Sequence, residues 1–216
     1  VAGETLSSNL PLANPLQGAL NVGFDAFIVK IADAPPDTTP PAITASVSPG
    51  ANINGWNNSP VNVVWTVVDP QSTITSQTGC GTITLSTETT AAGTTLTCTA
   101  TSAGGTASQS MTIRIDLTAP IALGSRTPGA NANGWNNTNV VVNFTCSDAL
   151  SGVVAAGSSQ TISTEGAGQS RMFVCQDLAG NTATSMVSGI NIDKTPLTIS
   201  GMPSGSSCTL WPPNHK

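Results

Sequence analysis

Pro49-Gly50-Ala51-Asn52-Ile53-Asn54-Gly55-Trp56-Asn57-Asn58 returns as Pro128-Gly129-Ala130-Asn131-Ala132-Asn133-Gly134-Trp135-Asn136-Asn137, 79 residues further on (128 − 49). Downstream the match continues at an offset of 77 (165 − 88). Ser86-Thr87-Glu88 becomes Ser163-Thr164-Glu165, Cys98 becomes Cys175 and Asp116 becomes Asp193. Self-similarity over this length means two copies of one small domain rather than one large one. Residues present in both copies are explained first by what both copies share, which is a fold. That sets a high bar for any catalytic reading.

Working outward from the repeat, proline-bearing joints bracket the copies. Pro35-Pro36-Asp37-Thr38-Thr39-Pro40-Pro41 opens the first. Asp116-Leu117-Thr118-Ala119-Pro120 and Asp193-Lys194-Thr195-Pro196 follow each copy in turn. Proline fixes φ and pushes the preceding residue toward extended geometry, which gives semi-rigid joints. The expected organisation is a distinct segment 1–34, modules at 35–118 and 119–195, and a further unit begun at 196–216.

Strands are legible by alternation. Val61, Val63, Trp65 and Val67 fall on one face, and the second copy places Val140, Val142, Phe144 and Cys146 in the same slots. A period of two with a large aromatic in one fixed slot is a half-buried strand. Leu96 and Cys98 match Phe173 and Cys175 on another. Turns at Ala103-Gly104-Gly105-Thr106 and Ala179-Gly180-Asn181-Thr182 lead into closing strands expected at 109–115 and 185–192. Several short strands per copy, without helical periodicity, indicate a two-sheet sandwich.

Composition agrees. Charged residues are 8% of the chain, net charge is −5, Gly and Pro number 21 and 15, and Tyr is absent. Ser and Thr make up roughly a quarter, and Thr and Val suit a pleated, half-buried surface. The six cations are scattered singly, which argues against nucleic acid. No apolar run approaches the ~20 residues of a membrane helix. The chain opens in mid-pattern at Val1, as expected of a piece of a longer protein.

Each copy holds two of the five cysteines, with Cys208 left in the tail. Two per small β-rich module favour disulfides and an oxidising compartment over free thiols. Cys146 lies on the inward face with Val142 and Phe144, and Cys175 follows inward Phe173, so Cys146–Cys175 is expected. In the first copy Val67 fills the Cys146 slot, leaving Cys80–Cys98. Zinc is disfavoured, since there is no C-x-x-C and the single His is His215.

Two resemblances add to this reading. Val1-Ala2-Gly3-Glu4-Thr5, Asn14-Pro15-Leu16-Gln17 and Gly23-Phe24-Asp25-Ala26-Phe27-Ile28-Val29-Lys30 resemble the bacterial β-propeller repeat family. That resemblance implies the end of one propeller blade within residues 1–34. The D-x-T-x-P joints, the N-G-W turns, the S-D-x-x-S-G at 147–152 and the D-x-A-G-N at 177–181 resemble tandem bacterial immunoglobulin-like modules of secreted and surface proteins. The first copy departs from that pattern with Asp69-Pro70-Gln71-Ser72 and Ser102-Ala103-Gly104-Gly105. The tail 208–216 resembles the opening of another such module. The expected fold is all-β: two tandem immunoglobulin-like β-sandwiches behind a propeller-blade fragment.

Candidate sites are few. Seven of the eleven acids recur in register (Asp37, Asp116 and Asp193; Asp69 and Asp148; Glu88 and Glu165), and Asp at a joint or turn commonly accepts backbone N–H bonds. Calcium is the sharper alternative, with Asp148, Asp177 and Asp193 converging near one end of the second module, although no D-x-D-x-D-G loop exists. Trp56 and Trp135 either cap their sandwiches or stack on a sugar ring. Hydrolytic triads fail, because the His lies outside both modules. The expectation is therefore a non-enzymatic structural spacer of a large secreted or cell-surface protein, without cofactors, whose partners are its neighbouring domains. The alternative is a module binding polysaccharide or a surface protein, accessory to a secreted hydrolase.

Overall fold

The structure, a computed structural model, describes residues 2–5, 25–28 and 35–198. Val1–Thr38 and Thr39–Lys216 are separate compact units. The first holds β1 (Ala2–Thr5) and β2 (Asp25–Ile28), paired antiparallel with Ala2 opposite Ile28. Among the described residues no helix is long and apolar enough to cross a membrane.

In the second unit each repeat builds its own pair of sheets. Repeat 1 contributes β3 (Ala42–Ser48), β4 (Val61–Val68), β5 (Ser76–Thr78), β6 (Ile83–Leu85), β7 (Thr94–Ser102) and β8 (Gly105–Ile113). Their order is β3-β4-β6 in one sheet and β5-β7-β8 in the other. Repeat 2 contributes β9 (Ile121–Thr127), β10 (Trp135–Asn136), β11 (Val140–Ser147), β12 (Gly157–Ile162), β13 (Gly166–Gln176) and β14 (Thr182–Ile192). These form β12-β11-β9 and β10-β14-β13.

Registers repeat as well as residues. Ala42 pairs with Val68 in repeat 1, and Ile121 with Ser147 in repeat 2, the same pairing moved by 79. Val61 opposite Leu85 returns as Val140 opposite Ile162. Alternation explains both, because a slip of one residue would turn every inward Val to solvent. In repeat 1, Val61, Val63 and Trp65 of one sheet meet Cys98 and Ile113 of the other, with Ile115 beside them. In repeat 2, Val140, Val142, Phe144 and Ile162 meet Ile190 and Ile192. Phe144 stacks on Phe173 across the sheets at 5.5 Å between ring centres. Gly124 of β9 lies close over the rim of this core, where a Cβ would come within 2.6 Å of the Val187 side chain and 3.0 Å of the Phe144 ring.

Two disulfides pin the cores. Cys146–Cys175 links β11 to β13, one strand of each sheet, with Cα atoms 5.6 Å apart. Cys80–Cys98 ties the β5–β6 loop to β7 with Cα atoms 4.6 Å apart. Both separations fit ordinary disulfide geometry, and such crosslinks suit an oxidising compartment.

The closing hairpins differ from expectation. β8 and β14 begin at Gly105 and Thr182, earlier than the alternation suggested. In repeat 1 the turn shrinks to Ala103-Gly104, because hydroxyl pairs extend the ladder outward. Thr95 bonds Thr112, Thr97 bonds Ser110, Thr99 bonds Ser108 and Thr101 bonds Thr106, all at 2.8–3.0 Å. Cross-strand pairs of this kind contribute roughly 0.2–1 kcal/mol each. Repeat 2 instead closes through the five-residue loop 177–181.

Candidate functional site at the joint between the repeats

The motifs that first revealed the duplication converge on one place, the chain segment leaving each repeat. In the Asn-Gly-Trp turn, Asn52 Oδ1 accepts the N–H groups of Asn54 and Trp56, and Gly55 takes φ 79°, where a side chain is disfavoured. Asn131 treats Asn133 and Trp135 identically, with Gly134 at φ 83°. The turn then delivers an asparagine against the last strand. Asn57 N–H donates to Arg114 O, and Asn57 O accepts from Asp116 N–H at 2.9 Å. Asn136 O accepts from Asp193 N–H at 2.9 Å.

The Ser-Thr-Glu segment grips the same strand end from the other side. Glu88 Oε1 accepts from Leu117 N–H and from the Thr118 hydroxyl. Glu165 accepts from Lys194 N–H and the Thr195 hydroxyl. Asp116 and Asp193 each accept the N–H two residues on, at 3.1 Å. Each joint is thus held in one direction as it leaves its repeat.

Repeat 2 meets the first joint with two turns. Asn181 Nδ2 donates to Asp116 O at 2.9 Å and Thr118 O at 3.2 Å. Ser151 N–H donates to Asp116 Oδ2 at 3.1 Å in a buried position. In return, Asn52 Nδ2 of repeat 1 donates to Leu178 O and Ala179 O, at 2.9 and 3.0 Å, and Asn54 Nδ2 to Leu178 O at 3.0 Å. The interface is therefore side-chain amides on backbone carbonyls, with a carboxylate inserted between.

Carboxyl oxygens of Asp116, Asp148 and Asp177 lie within 4.8 Å of one another, and Asp116 and Asp177 are fully buried. Among the three acids considered for calcium, the structure brings Asp148 and Asp177 together and leaves Asp193 out, with Asp116 in its place. The reason is strand length. β14 separates the 177–181 loop from Asp193 by eleven residues, more than 30 Å at roughly 3.3 Å per residue. The joint acid at this end comes from the preceding repeat.

Oxygen ligands at this spacing are what a hard divalent cation takes, but most already have donors. Asp148 Oδ1 accepts N–H bonds from Leu150, Ser151 and Gly152. Asp177 Oδ1 accepts from Gly180 and Asn181 N–H, and Oδ2 from Asn181 Nδ2. With both Asp116 oxygens engaged, Asp148 Oδ2 is the one carboxylate oxygen of the three acids without a donor among the described residues. Amide dipoles compensate the charge, and the arrangement reads as a turn clamp.

The tryptophans divide. Trp56 is 7% exposed, so its ring offers no platform for a sugar, whereas Trp135 is half-buried. A cleft of about 200 Å³ beside the first turn, lined by Val47, Gly55, Asn57, Met111 and Ile113, is smaller than the ~300–1,000 Å³ of ordinary ligand sites. Asn52, Asn54 and Asn181 were missed by reading residue types for chemistry. Their signal was the recurrence of Asn-x-Asn in both copies against Asp-x-Ala-Gly-Asn in the second alone. Neither a protein-family model nor a curated protein matches this chain.

Proposed function

We infer that the repeats are immunoglobulin-like modules acting as a stiff, non-catalytic spacer in a secreted or cell-surface protein, holding neighbouring domains at fixed separation. The observation that carries this reading is the joint. Asp116 and Thr118 are bonded by residues of both repeats, so the linker is a shared structural element rather than a tether. The acids that acid–base chemistry would need are committed to backbone amides, which favours structure over catalysis. The two disulfides support an extracytoplasmic setting. The carbohydrate-binding alternative retains only Trp135 of its two platforms.

Small-angle scattering of the whole chain and its Asn181→Ala variant tests the reading. Asn181 clamps the linker without belonging to either core. The variant is expected to keep its fold by circular dichroism while its distribution of interatomic distances broadens. An unchanged distribution contradicts the spacer reading.

A further inference from the structure

The two ends of the repeat pair are not alike. At the joint, the Asn-x-Asn turn of repeat 1 presents two amide nitrogens, and the Asp-Leu-Ala-Gly-Asn turn of repeat 2 presents two carbonyls. At the far end, repeat 2 reproduces the donor half of that interface. Asn131 and Asn133 are exposed, and the turn is held by the same internal bonds as its counterpart. Among the described residues their Nδ2 groups donate to nothing, where those of Asn52 and Asn54 are engaged. The launch of the linker is reproduced too, down to the acceptors that Glu165 and Asp193 offer Lys194 and Thr195.

We propose that this end of repeat 2 is a docking face for a further repeat placed directly after Thr195, and that it selects one whose closing hairpin carries an Asp-x-Ala-Gly-Asn turn. The matching chemistry is a pair of outward carbonyls for Asn131 and Asn133 and an Asn amide for the linker carbonyl of Thr195. Repeat 1 is not such a partner. Its hairpin closes through Ala103-Gly104 and carries Ser102 where the turn of repeat 2 has its Asp. The arrays such modules build are therefore polar, with a repeat 1 type at the head and repeat 2 types stacked behind it.

This inference rests on the spacer reading, and its test separates the two. Residues 119–195 are duplicated directly after Thr195 in the otherwise whole chain, each copy is isotope-labelled separately, and alignment tensors are measured from residual dipolar couplings. The added copy is expected to share the tensor of the copy before it. Asn131→Asp with Asn133→Asp in the middle copy keeps the Asn131 acceptor that holds the turn but replaces both donors by carboxylates facing carbonyls. These substitutions are expected to give the added copy its own tensor without unfolding any copy. Inserting a copy of residues 40–118 instead is expected to give an uncoupled module. If repeats 1 and 2 share a tensor but the added 119–195 copy does not, the docking face is refuted while the spacer reading stands. Coupling that survives the double substitution, or equally tight coupling of the 40–118 copy, also overturns it. Separate tensors for repeats 1 and 2 remove the spacer reading itself.

Discussion

Asp148 holds a turn by offering one oxygen to three backbone N–H groups. Its charge adds repulsion to a cluster of three acids, so acceptor and charge act in opposite directions. Charge-assisted hydrogen bonds contribute about 1.5–3 kcal/mol, and stranded buried donors cost about as much again. The acceptor should win. Asp148→Ala is expected to lose about 2–3 kcal/mol in denaturant unfolding, while Asp148→Asn, which keeps an acceptor, loses under about 1 kcal/mol. Equal losses would show that the charge matters and the acceptor does not. The tryptophans separate in the same way. Trp65 is buried with its Nε1 unpaired, and repeat 2 has Phe144 in that slot. Trp65→Phe removes an orphan donor while sacrificing some volume, so it should stay within about 1 kcal/mol of wild type. Trp56→Ala should cost the ~3–5 kcal/mol of a buried aromatic. Inward residues were legible, because period-two alternation marks a face. The identity of the third clustered acid was not, because repeat register makes Asp116 and Asp193 equivalent and says nothing about which pole of a sandwich each occupies.

Among the elements, β4 and β11 were the most legible, and their pairing registers follow from the inward valines. The short strands β5, β10 and β12 were not, since two to six mostly polar residues carry no periodicity of their own and pair only because a neighbour offers an edge. The hairpins escaped for a different reason. Whether Gly-rich residues form a tight turn or a five-residue loop is decided by side chains elsewhere: the hydroxyl ladder in repeat 1 and the joint contacts in repeat 2. Disulfides act at this scale. Cys80–Cys98 and Cys146–Cys175 close loops of sequence separation 18 and 29, and the chain-entropy estimate gives each about 3–4 kcal/mol. Cys146→Ala with Cys175→Ala should lower stability by that amount in denaturant unfolding of repeat 2. The loss is expected to include local loosening where β11 and β13 are tied, visible as faster amide exchange. A stability change below about 1 kcal/mol would mean that the stacked Phe144 and Phe173 hold the sheets together unaided.

At the scale of the whole molecule, the duplication in the sequence is matched by a pair of sheets in each repeat. What the sequence did not disclose was how closely the repeats are joined. The amides of Asn52, Asn54 and Asn181 reach across 126, 124 and 63–65 residues to backbone carbonyls, and no local pattern encodes a partner that distant. The first of the recurring turns works twice, shaping its own repeat and donating amides to the next. The central claim is that the joint fixes one repeat on the other. Residual dipolar couplings of the unmodified chain in a weakly aligning medium test it most directly. A rigid joint predicts that couplings from 42–113 and 121–192 fit one alignment tensor, equal in magnitude and axes when the repeats are fitted separately. Two tensors of different magnitude, each fitting only its own repeat, would show modules swinging on a flexible linker and contradict the account.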